Sequence, residues 1–216
     1  MKKVLVAGAN GQIGRHVVRL LQESEHFEAK AMIRDKTQAP YFEEMGAGTA
    51  VVDLEDEIDV LAGVMDDVDA VVFTAGSGPN TGKDKTIMID LDGAVKMMEA
   101  SKQKGVSRFA LISSFDTRRG HWGSEAFRPY AACKFYADEW LRNSGLEYTI
   151  IHPGKLNNEE GTGKVNAAAD VPRDEIPRED VAKVIVETLN HDSLINKEFQ
   201  VTKGDTSVVE ALDSIE

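Results

Sequence analysis

A tyrosine and a lysine lie four residues apart in a segment whose apolar pattern predicts a helix. Tyr130 and Lys134 both fall within residues 127–141, so their side chains would project from one face of that helix. An ammonium group next to a phenol lowers the pKa of the phenol, which makes the phenol a usable general acid or base. Ser114, at the end of a predicted strand, could hydrogen-bond the reacting oxygen. The same Tyr–Lys spacing is common in helices of purely structural role, so its meaning depends on the rest of the chain.

A glycine-rich turn near the start of the chain is typical of dinucleotide binding. Residues 8–14 read G-A-N-G-Q-I-G, between a predicted strand and a predicted helix. In such a motif the glycines permit a tight turn, a close approach of backbone N–H groups to a diphosphate, and close packing of the helix on the strand. The helix N-terminus adds a partial positive charge. The residues predicted to contact the dinucleotide here are Gly8, Asn10, Gly11, Gln12, Ile13 and Gly14.

The residue just after the second strand of such a fold distinguishes the two nicotinamide dinucleotides. An acidic side chain there bonds the ribose hydroxyls of NAD, whereas an arginine accommodates the 2′-phosphate of NADP. The second predicted strand is followed by Arg34, then by Asp35 and Lys36. Because a guanidinium makes charge-assisted, often bidentate bonds to phosphate, Arg34 favours NADP(H), with NAD(H) as the alternative. A solvent-facing Arg34 without a cofactor role is the other interpretation.

Two later loops are expected to complete the cofactor site, because ligands of open α/β sheets bind beyond the carboxyl ends of the strands. Asp53 and Leu54 follow the third predicted strand, where adenine would lie, and Asp53 could accept a hydrogen bond from the exocyclic amine. A helix cap is the alternative role for Asp53. Thr74, Ala75 and Gly76 follow the fourth predicted strand and bring small side chains and bare backbone toward the cofactor.

Short runs rich in valine and isoleucine alternate with helical patterns along the chain. This alternation predicts βαβ units, and therefore a Rossmann-type doubly wound parallel sheet of the α/β class with helices on both faces. Residues 86–104 carry the pattern of one long helix, which Gly105 would end. The predicted strands are residues 4–7, 29–33, 50–52, 70–73, 109–112 and 148–151.

The pattern changes after the sixth predicted strand. Residues 155–163 and 170–180 are polar and punctuated by glycine, proline and acidic side chains, which predicts irregular structure over the ends of the strands. A helix over residues 179–189 and a strand over residues 198–202 follow. We therefore expect residues 155–216 to form a small C-terminal cap, partly on the substrate side.

Composition limits the possible partners. The chain has 216 residues, 42% of them hydrophobic, which suffices for one well-buried core and predicts a single domain over residues 1–216. The 37 acidic and 25 basic side chains give a net charge of −12, which disfavours nucleic acid as a partner and leaves a small molecule as the expected one. No apolar run reaches the roughly 20 residues that span a bilayer, and no signal sequence precedes the glycine turn, so we expect a cytoplasmic protein without a membrane partner.

The metal-binding residue types are few and scattered. Cys133 is the single cysteine, which excludes an internal disulfide, and a small buried helix residue is a more ordinary role for it than a reactive thiol. The 5 histidines are dispersed along the chain without metal-ligand spacing. No metal site is predicted.

The order of these features resembles the short-chain dehydrogenase/reductase superfamily. The glycine turn comes first, Ser113 and Ser114 follow the fifth strand, and Y-A-A-C-K precedes the sixth. Over most of its length the chain is similar to the atypical group of that superfamily, the small NAD(P)-binding proteins related to biliverdin reductase B, NmrA-like regulators and bacterial proteins named as sugar epimerases. The runs that carry this likeness are VAGANGQIGRHVVRLL, FTAGSG, IDLDGA, YAACKFYADEWLRNSGLEYTIIHPG and IPREDVA.

The resemblance implies a role for each member of the catalytic group. Tyr130 would donate or accept the proton, and Lys134 would hold the nicotinamide ribose and lower the pKa of the tyrosine. Ser114, rather than Ser113, would orient the substrate carbonyl. These roles imply hydride transfer between a nicotinamide and a small-molecule substrate.

Two positions depart from the family's pattern. Pro153 and Gly154 match the end of its R-P-G segment beside the nicotinamide, but His152 replaces the arginine, so the contact of that side chain is open. Pro177 stands where a capping serine is common, so the turn before the helix at residue 179 is expected to differ.

Three functions are compatible with these features. The first is an NADP(H)-dependent oxidoreductase, which explains why a tyrosine, a lysine and a serine are all present. The second is a sugar epimerase or dehydratase, although the C-terminal part is short for enclosing a nucleotide sugar. The third is a redox sensor that binds NADP(H) without catalysis, which would not need Tyr130. No feature of the sequence indicates an oligomeric state.

Overall fold

The computed structural model describes residues 1–78 and 81–215 of the chain. The strands are β1 (Lys2–Ala7), β2 (Phe27–Ile33), β3 (Gly48–Val51), β4 (Ala70–Phe73), β5 (Arg108–Ile112), β6 (Glu147–Pro153), β7 (Lys155–Asn157), β8 (Lys164–Ala168), β9 (Glu175–Pro177), β10 (Lys197–Lys203) and β11 (Thr206–Ser207). The α-helices are α1 (Gln12–Gln22), α2 (Ala39–Glu43), α3 (Ile58–Ala62), α4 (Lys83–Lys85), α5 (Ala94–Lys104), α6 (Arg128–Arg142), α7 (Arg178–Thr188) and α8 (Val208–Asp213). Short 3₁₀ segments cover Lys36–Gln38 and Asp192–Leu194, and Thr86–Gly93 is π-helical.

Most of the strands form one large sheet. Its order is β11-β8-β10-β6-β5-β4-β1-β2-β3. The strands from β10 to β3 are all parallel, whereas β8 and β11 extend the β10 edge in antiparallel pairing. The stretch β3-β2-β1-β4-β5-β6 has the strand order of doubly wound dinucleotide-binding folds. The predicted α/β Rossmann-type class is therefore confirmed.

The sheet is buried on both faces, which explains the nearly continuous apolar runs of its strands. Alternate residues of β1 point to opposite faces. Val4 and Val6 enter the core beneath α1 and α7, whereas Leu5 and Ala7 enter the core beneath α3, α5 and α6. Cys133 of α6 is buried, as predicted.

Two parts of the chain differ in local structure from the sequence prediction. The long helix predicted over residues 86–104 is π-helical in its first half, where Thr86–Gly93 connects α4 to α5. Three-residue strands lie within both segments predicted to be irregular, since β7 pairs with β9 in parallel. The predicted C-terminal strand, β10, joins the main sheet beside β6.

The topology fixes where a ligand can bind. The chain leaves β1 toward one side of the sheet and leaves β4, its neighbour, toward the other, which opens a crevice beyond their carboxyl ends. The glycine turn, the loop after β4 and the serines after β5 all lie at this edge. Among residues 1–78 and 81–215, the helices are too short or too polar to cross a lipid bilayer.

Candidate functional site

The shape of the glycine turn requires glycine at two of its positions. Gly8 has φ +84°, and a Cβ there would lie 2.6 Å from the backbone nitrogen of Ala75. A Cβ at Gly14 would lie 2.2 Å from the carbonyl oxygen of Gly8. Since non-bonded atoms do not approach so closely, the first glycine lets the loop after β4 come near, and the third lets α1 pack on β1.

Hydrogen bonds hold the turn in this shape. The Gly11 N–H donates to the Gly8 carbonyl at 2.9 Å. Thr74 donates its backbone N–H to the Ala7 carbonyl at 2.9 Å, and its hydroxyl lies 3.1 Å from the same oxygen. Thr74, predicted to contact the cofactor, therefore also ties β4 to the turn.

The turn fits the diphosphate of a dinucleotide. Helix α1 starts at Gln12, and the first helical backbone bond runs from the Arg15 N–H to the Gly11 carbonyl. The N–H groups of Gln12, Ile13 and Gly14 precede that bond and have no partner within the helix. Gly11 has no side chain that could cap them, so they are available to phosphate oxygens, which the positive end of the helix dipole also attracts.

Arg34 and Asp35 differ in their availability to a ligand. The Asp35 carboxylate accepts hydrogen bonds from the backbone and the hydroxyl of Thr37, at 2.8 and 2.7 Å, and caps the 3₁₀ segment Lys36–Gln38. These bonds lower the pKa of Asp35. Arg34 is exposed directly after β2. The acidic residue is thus engaged locally, and the arginine is open to solvent.

The loop after β3 has a local hydrogen-bond pattern of its own. Asp53 accepts the Glu55 N–H at 3.0 Å and donates its own N–H to the Asp56 carboxylate at 3.0 Å. This is a local Asx turn and not the helix cap considered as the alternative, because the N-cap of α3 is Glu57. Leu54 is buried, and a Cβ at Gly93 would lie 3.2 Å from its side chain.

The loop after β4 is held by a buried carboxylate that the sequence pattern does not indicate. Asp90, only 2% exposed, accepts the backbone N–H of Ser77 at 3.0 Å. A Cβ at Gly76 would lie 3.1 Å from the other oxygen of Asp90. Asp90, which belongs to the π-helical segment, therefore holds the backbone of the loop at Ala75 and Gly76 in place.

The proposed catalytic residues converge at the end of β5. Lys134 is buried and donates from Nζ to the Ile112 carbonyl at 2.7 Å. Tyr130 lies one turn earlier on α6, and burial raises the pKa of its phenol above the usual range. The Lys134 charge and a Ser114 hydrogen bond act in the opposite direction but do not outweigh burial. The sequence predicts that Lys134 lowers the pKa of Tyr130, but in this structure the pKa is raised.

The backbone after β5 is held by side chains from strands β6 and β10. Nδ1 of His152 lies 2.7 Å from the Ser114 carbonyl oxygen, which can only accept, so Nδ1 is the donor. Nε2 of Gln200 donates to the Phe115 carbonyl at 3.0 Å. The contact left open for the His152 side chain is therefore a hydrogen bond to the serine segment, and this side chain is 9% exposed.

His152 is connected to a partly exposed charge pair. Its Nε2 lies 3.4 Å from Glu198, which also accepts from Arg142 at 2.5 Å. Burial alone would lower the pKa of His152, but Glu198, Asp138 and the Ser114 carbonyl together raise it. The hydrogen bond from His152 and the bond from Arg142 lower the pKa of Glu198 to about 2.

The buried carboxylate of Asp138 bonds the Ser113 hydroxyl, which distinguishes Ser113 from Ser114. Asp138, 0% exposed, accepts the hydroxyls of Ser113 at 2.8 Å and Thr117 at 2.9 Å. Burial raises the pKa of Asp138, and the nearby His152 charge opposes that rise. The Ser113 hydroxyl is therefore engaged in the core, which supports the choice of Ser114 as the serine near a substrate.

The segment after β6 packs closely against the C-terminal part. A Cβ at Gly154 would lie 2.2 Å from the Asp174 carbonyl oxygen, and the Gly154 N–H donates to Val201 at 2.8 Å. Pro153 is the last residue of β6 and is buried. Pro177 precedes α7 and offers no side-chain cap, consistent with the departure noted in the sequence.

Comparison with known proteins shows the family to which the chain belongs. A family model described as NAD(P)H-binding matches residues 8–192. The uncharacterized sugar epimerase YhfK of Bacillus subtilis is 43% identical, over 99% of this chain and 100% of its own. A structure from Bacillus halodurans, provisionally described as an NAD-dependent epimerase/dehydratase, has a TM-score of 0.93 and 40% identity over 99% of both chains.

A third relative carries a different functional name. The oxidoreductase YlbE of Lactococcus lactis has a TM-score of 0.89 and 29% identity, over 98% of this chain and 95% of its own. Because the family model includes the glycine turn and extends through the Tyr–Lys helix, the match covers both halves of the site. The chain belongs to the NAD(P)H-binding family.

Proposed function

We propose that this protein is an NADP(H)-dependent oxidoreductase that reduces a carbonyl or conjugated small molecule, with Tyr130 as the proton donor. The observation that carries the proposal is the joint arrangement at one edge of the sheet. Lys134 bonds the end of β5, Ser114 lies two residues beyond that end, and the glycine turn follows β1, two strands away. A cofactor in the turn and a substrate beside Tyr130 would share the same crevice.

The chain's own groups can handle the proton that such a reduction needs. When bound, the reduced nicotinamide supplies a hydride to the acceptor carbon. The Tyr130 hydroxyl donates its proton to the acceptor oxygen, and the Ser114 hydroxyl hydrogen-bonds the same oxygen. A raised pKa keeps Tyr130 protonated at neutral pH, as a donor requires. Lys134 stabilises the phenolate that remains after transfer.

Preference for NADP(H) is supported at the end of β2. A carboxylate that discriminates in favour of NAD must be free to accept the ribose hydroxyls. Asp35 instead caps its own turn through Thr37. Arg34 is exposed beside it and can pair with a 2′-phosphate.

Substitution of the tyrosine tests the mechanism. We expect Tyr130→Phe to reduce turnover by about 10²- to 10⁴-fold, because one general acid is lost, while NADPH affinity stays unchanged. The matched control is Tyr136→Phe on the same helix, because residue Tyr136 is 47% exposed. Purified protein would first be titrated with NADPH and NADH, then screened with aldehydes, ketones, quinones and flavins for loss of NADPH absorbance.

Each outcome of this experiment has a distinct meaning. Turnover that survives Tyr130→Phe would show that another group donates the proton. Tight NADPH binding with no turnover across the acceptor screen would favour a redox sensor that reports the cofactor state to a partner. No binding of either dinucleotide would overturn the cofactor assignment itself.

Epimerase or dehydratase chemistry is the second candidate, because the name of YhfK points to it. The same tyrosine would serve, but the cofactor would return to its starting state in each turnover, so nucleotide sugars would be converted without net consumption of NADPH. Conversion of a nucleotide sugar by protein that consumes no NADPH with any carbonyl acceptor would favour this candidate over the reductase.

A further inference from the structure

A second guanidinium lies beside the glycine turn. Arg15 immediately follows Gly14 in the first turn of α1. Its Nη2 and Nε donate to the side-chain oxygen of Asn10, at 2.8 and 3.2 Å. The side chain therefore folds back along the turn toward Asn10, instead of extending into solvent.

The other side of this guanidinium is covered by an aromatic ring. The Arg15 Cζ lies 4.6 Å from the centroid of the Tyr41 ring, a cation–π distance. Tyr41 belongs to α2 and packs edge-on against Phe42, which is fully buried. Arg15 thus bridges the turn after β1 and the helix that follows β2.

The contact between Arg15 and Tyr41 lies where the 2′-phosphate of an adenosine would bind. Strands β1 and β2 are parallel neighbours with Ala7 opposite Met32, so the glycine turn and Arg34 leave the sheet at the same edge. In this fold the adenosine ribose lies between those two segments. Arg15 and Tyr41 also line a cavity of about 580 Å³, which extends toward α7 and is lined there by Glu159, Glu160 and Glu179.

Among the residues that the structure describes, Arg15 forms no direct ion pair with a carboxylate, and its guanidinium bonds Asn10 instead. Its recorded polar partner is the neutral amide of Asn10. Arg19, one turn later on α1, differs because it pairs with Glu23 at 3.1 Å and with Glu179 at 3.0 Å. In a chain of net charge −12, an arginine held without a counter-charge is suited to a dianionic ligand.

We propose that Arg15, stacked on Tyr41, binds the 2′-phosphate of NADP(H) together with Arg34 and so determines the choice of NADP(H) over NAD(H). This inference rests on the proposed NADP(H) function. Asn10 and Tyr41 hold the guanidinium in place before the cofactor arrives, which reduces the entropy lost on binding.

Calorimetric titration of the full chain with NADP⁺ and with NAD⁺ tests this proposal, since it needs no known substrate. We expect Arg15→Gln to weaken NADP⁺ binding about 10-fold or more while NAD⁺ affinity changes less than about 2-fold, because one charged hydrogen-bond partner of the phosphate is removed. The matched control is Arg19→Gln, which removes an arginine from the same helix and should leave both affinities unchanged.

The stacking ring has its own pair of variants. Tyr41→Phe keeps the aromatic face and should preserve NADP⁺ affinity, whereas Tyr41→Leu should weaken NADP⁺ several-fold and spare NAD⁺. Arg15 and Tyr41 are exposed, so the variants should fold, and thermal unfolding of each would verify this.

The outcomes separate this inference from the proposed function. If Arg15→Gln weakens NADP⁺ and NAD⁺ equally, Arg15 contacts a part that both dinucleotides share, and the inference is wrong although the cofactor site stands. If NADP⁺ binds the variant as tightly as the wild type, the inference is likewise wrong. If the wild type binds neither dinucleotide, the proposed function fails as well.

Discussion

The two walls of the crevice are built by different means. The glycine wall, residues 8–14 with the loop after β4, owes its shape to the absence of side chains, since a Cβ at Gly8 or Gly14 would collide with backbone atoms. The catalytic wall, the segment 113–117, owes its shape to buried polar side chains from other elements. These donate to or accept from it at Ser113, Ser114, Phe115 and Thr117.

The difference teaches how each wall can be changed. A steric requirement is absolute, because no substitution at Gly14 avoids the Gly8 carbonyl. A hydrogen-bonded arrangement is graded, because a partner can be replaced by another donor or weakened by a change in protonation. We therefore expect the glycine wall to fail abruptly and the catalytic wall to respond to pH and to conservative substitution.

The largest effect is expected at the third glycine. Gly14→Ala places a methyl group 2.2 Å from the Gly8 carbonyl oxygen, so α1 must shift away from β1. Overpacking of this kind costs about 3 kcal/mol in the free energy of unfolding and would displace the N–H groups that face the diphosphate. Urea denaturation and NADPH titration would measure the two losses.

Another glycine provides the control for this substitution. A Cβ at Gly48, in β3, would meet its nearest neighbours at 3.8 Å, which is ordinary contact. Gly48→Ala should therefore leave both the free energy of unfolding and NADPH affinity nearly unchanged. Equal effects of Gly14→Ala and Gly48→Ala would show that the glycine wall is not sterically determined.

The same distinction explains what the sequence could predict. The spacing of the glycines at residues 8, 11 and 14 is visible in seven consecutive residues, although the contact that requires Gly8 comes from Ala75. Strand order also follows from short apolar runs and the rules for βαβ units. The fold and the glycine wall could therefore be predicted from the sequence.

The hydrogen-bond partners of the catalytic wall could not be predicted from the sequence. His152 and Ser114 are 38 residues apart, and Gln200 and Phe115 are 85 apart, and no periodicity links such pairs. The pKa of Tyr130 was expected to fall because of Lys134, but the degree of burial, a tertiary property, decides its direction. Strands β7 and β9 were missed because three residues are too few to show a period.

A smaller effect is expected when His152, which bonds the catalytic wall at Ser114, is replaced. His152→Ala leaves the half-buried Ser114 carbonyl without this donor, and Glu198 loses one of its partners. Loss of a buried partner of this type costs about 2 kcal/mol in the free energy of unfolding. His152→Gln, which can still donate to the carbonyl, should recover part of that loss.

A second histidine–glutamate pair serves as the control. His191 lies 2.9 Å from Glu187 on α7, away from the crevice. His191→Ala should cost less than about 1 kcal/mol, as measured by urea denaturation under the same conditions. A larger loss for His191→Ala than for His152→Ala would contradict the importance that we assign to the Ser114 bond.

The smallest effect is expected at the charge pair behind that histidine, and it should depend on pH. The folded pKa of Glu198 is depressed to about 2, so its contribution is present above the unfolded value, roughly 4.3, and is lost as the pH falls toward 2. The folded pKa of His152 is raised, so its contribution is complete below roughly 6.5 and is lost as the pH rises through the folded value. Glu198→Gln should therefore cost most stability between about pH 4.3 and 6.5.

The exposed ion pair between Glu175 and Lys155 is the control for the pH dependence expected of Glu198→Gln. The Glu198 side chain is 44% exposed, so water screens its interactions, and we expect about 1 kcal/mol or less at the maximum. Glu175, whose pKa is lowered by Lys155, has a partner that stays charged well above neutral pH. Glu175→Gln should lose its effect only on the acid side, whereas the effect of Glu198→Gln should decline on both sides. If urea denaturation gave Glu198→Gln a profile with no alkaline decline, the catalytic wall would not depend on the protonation of His152.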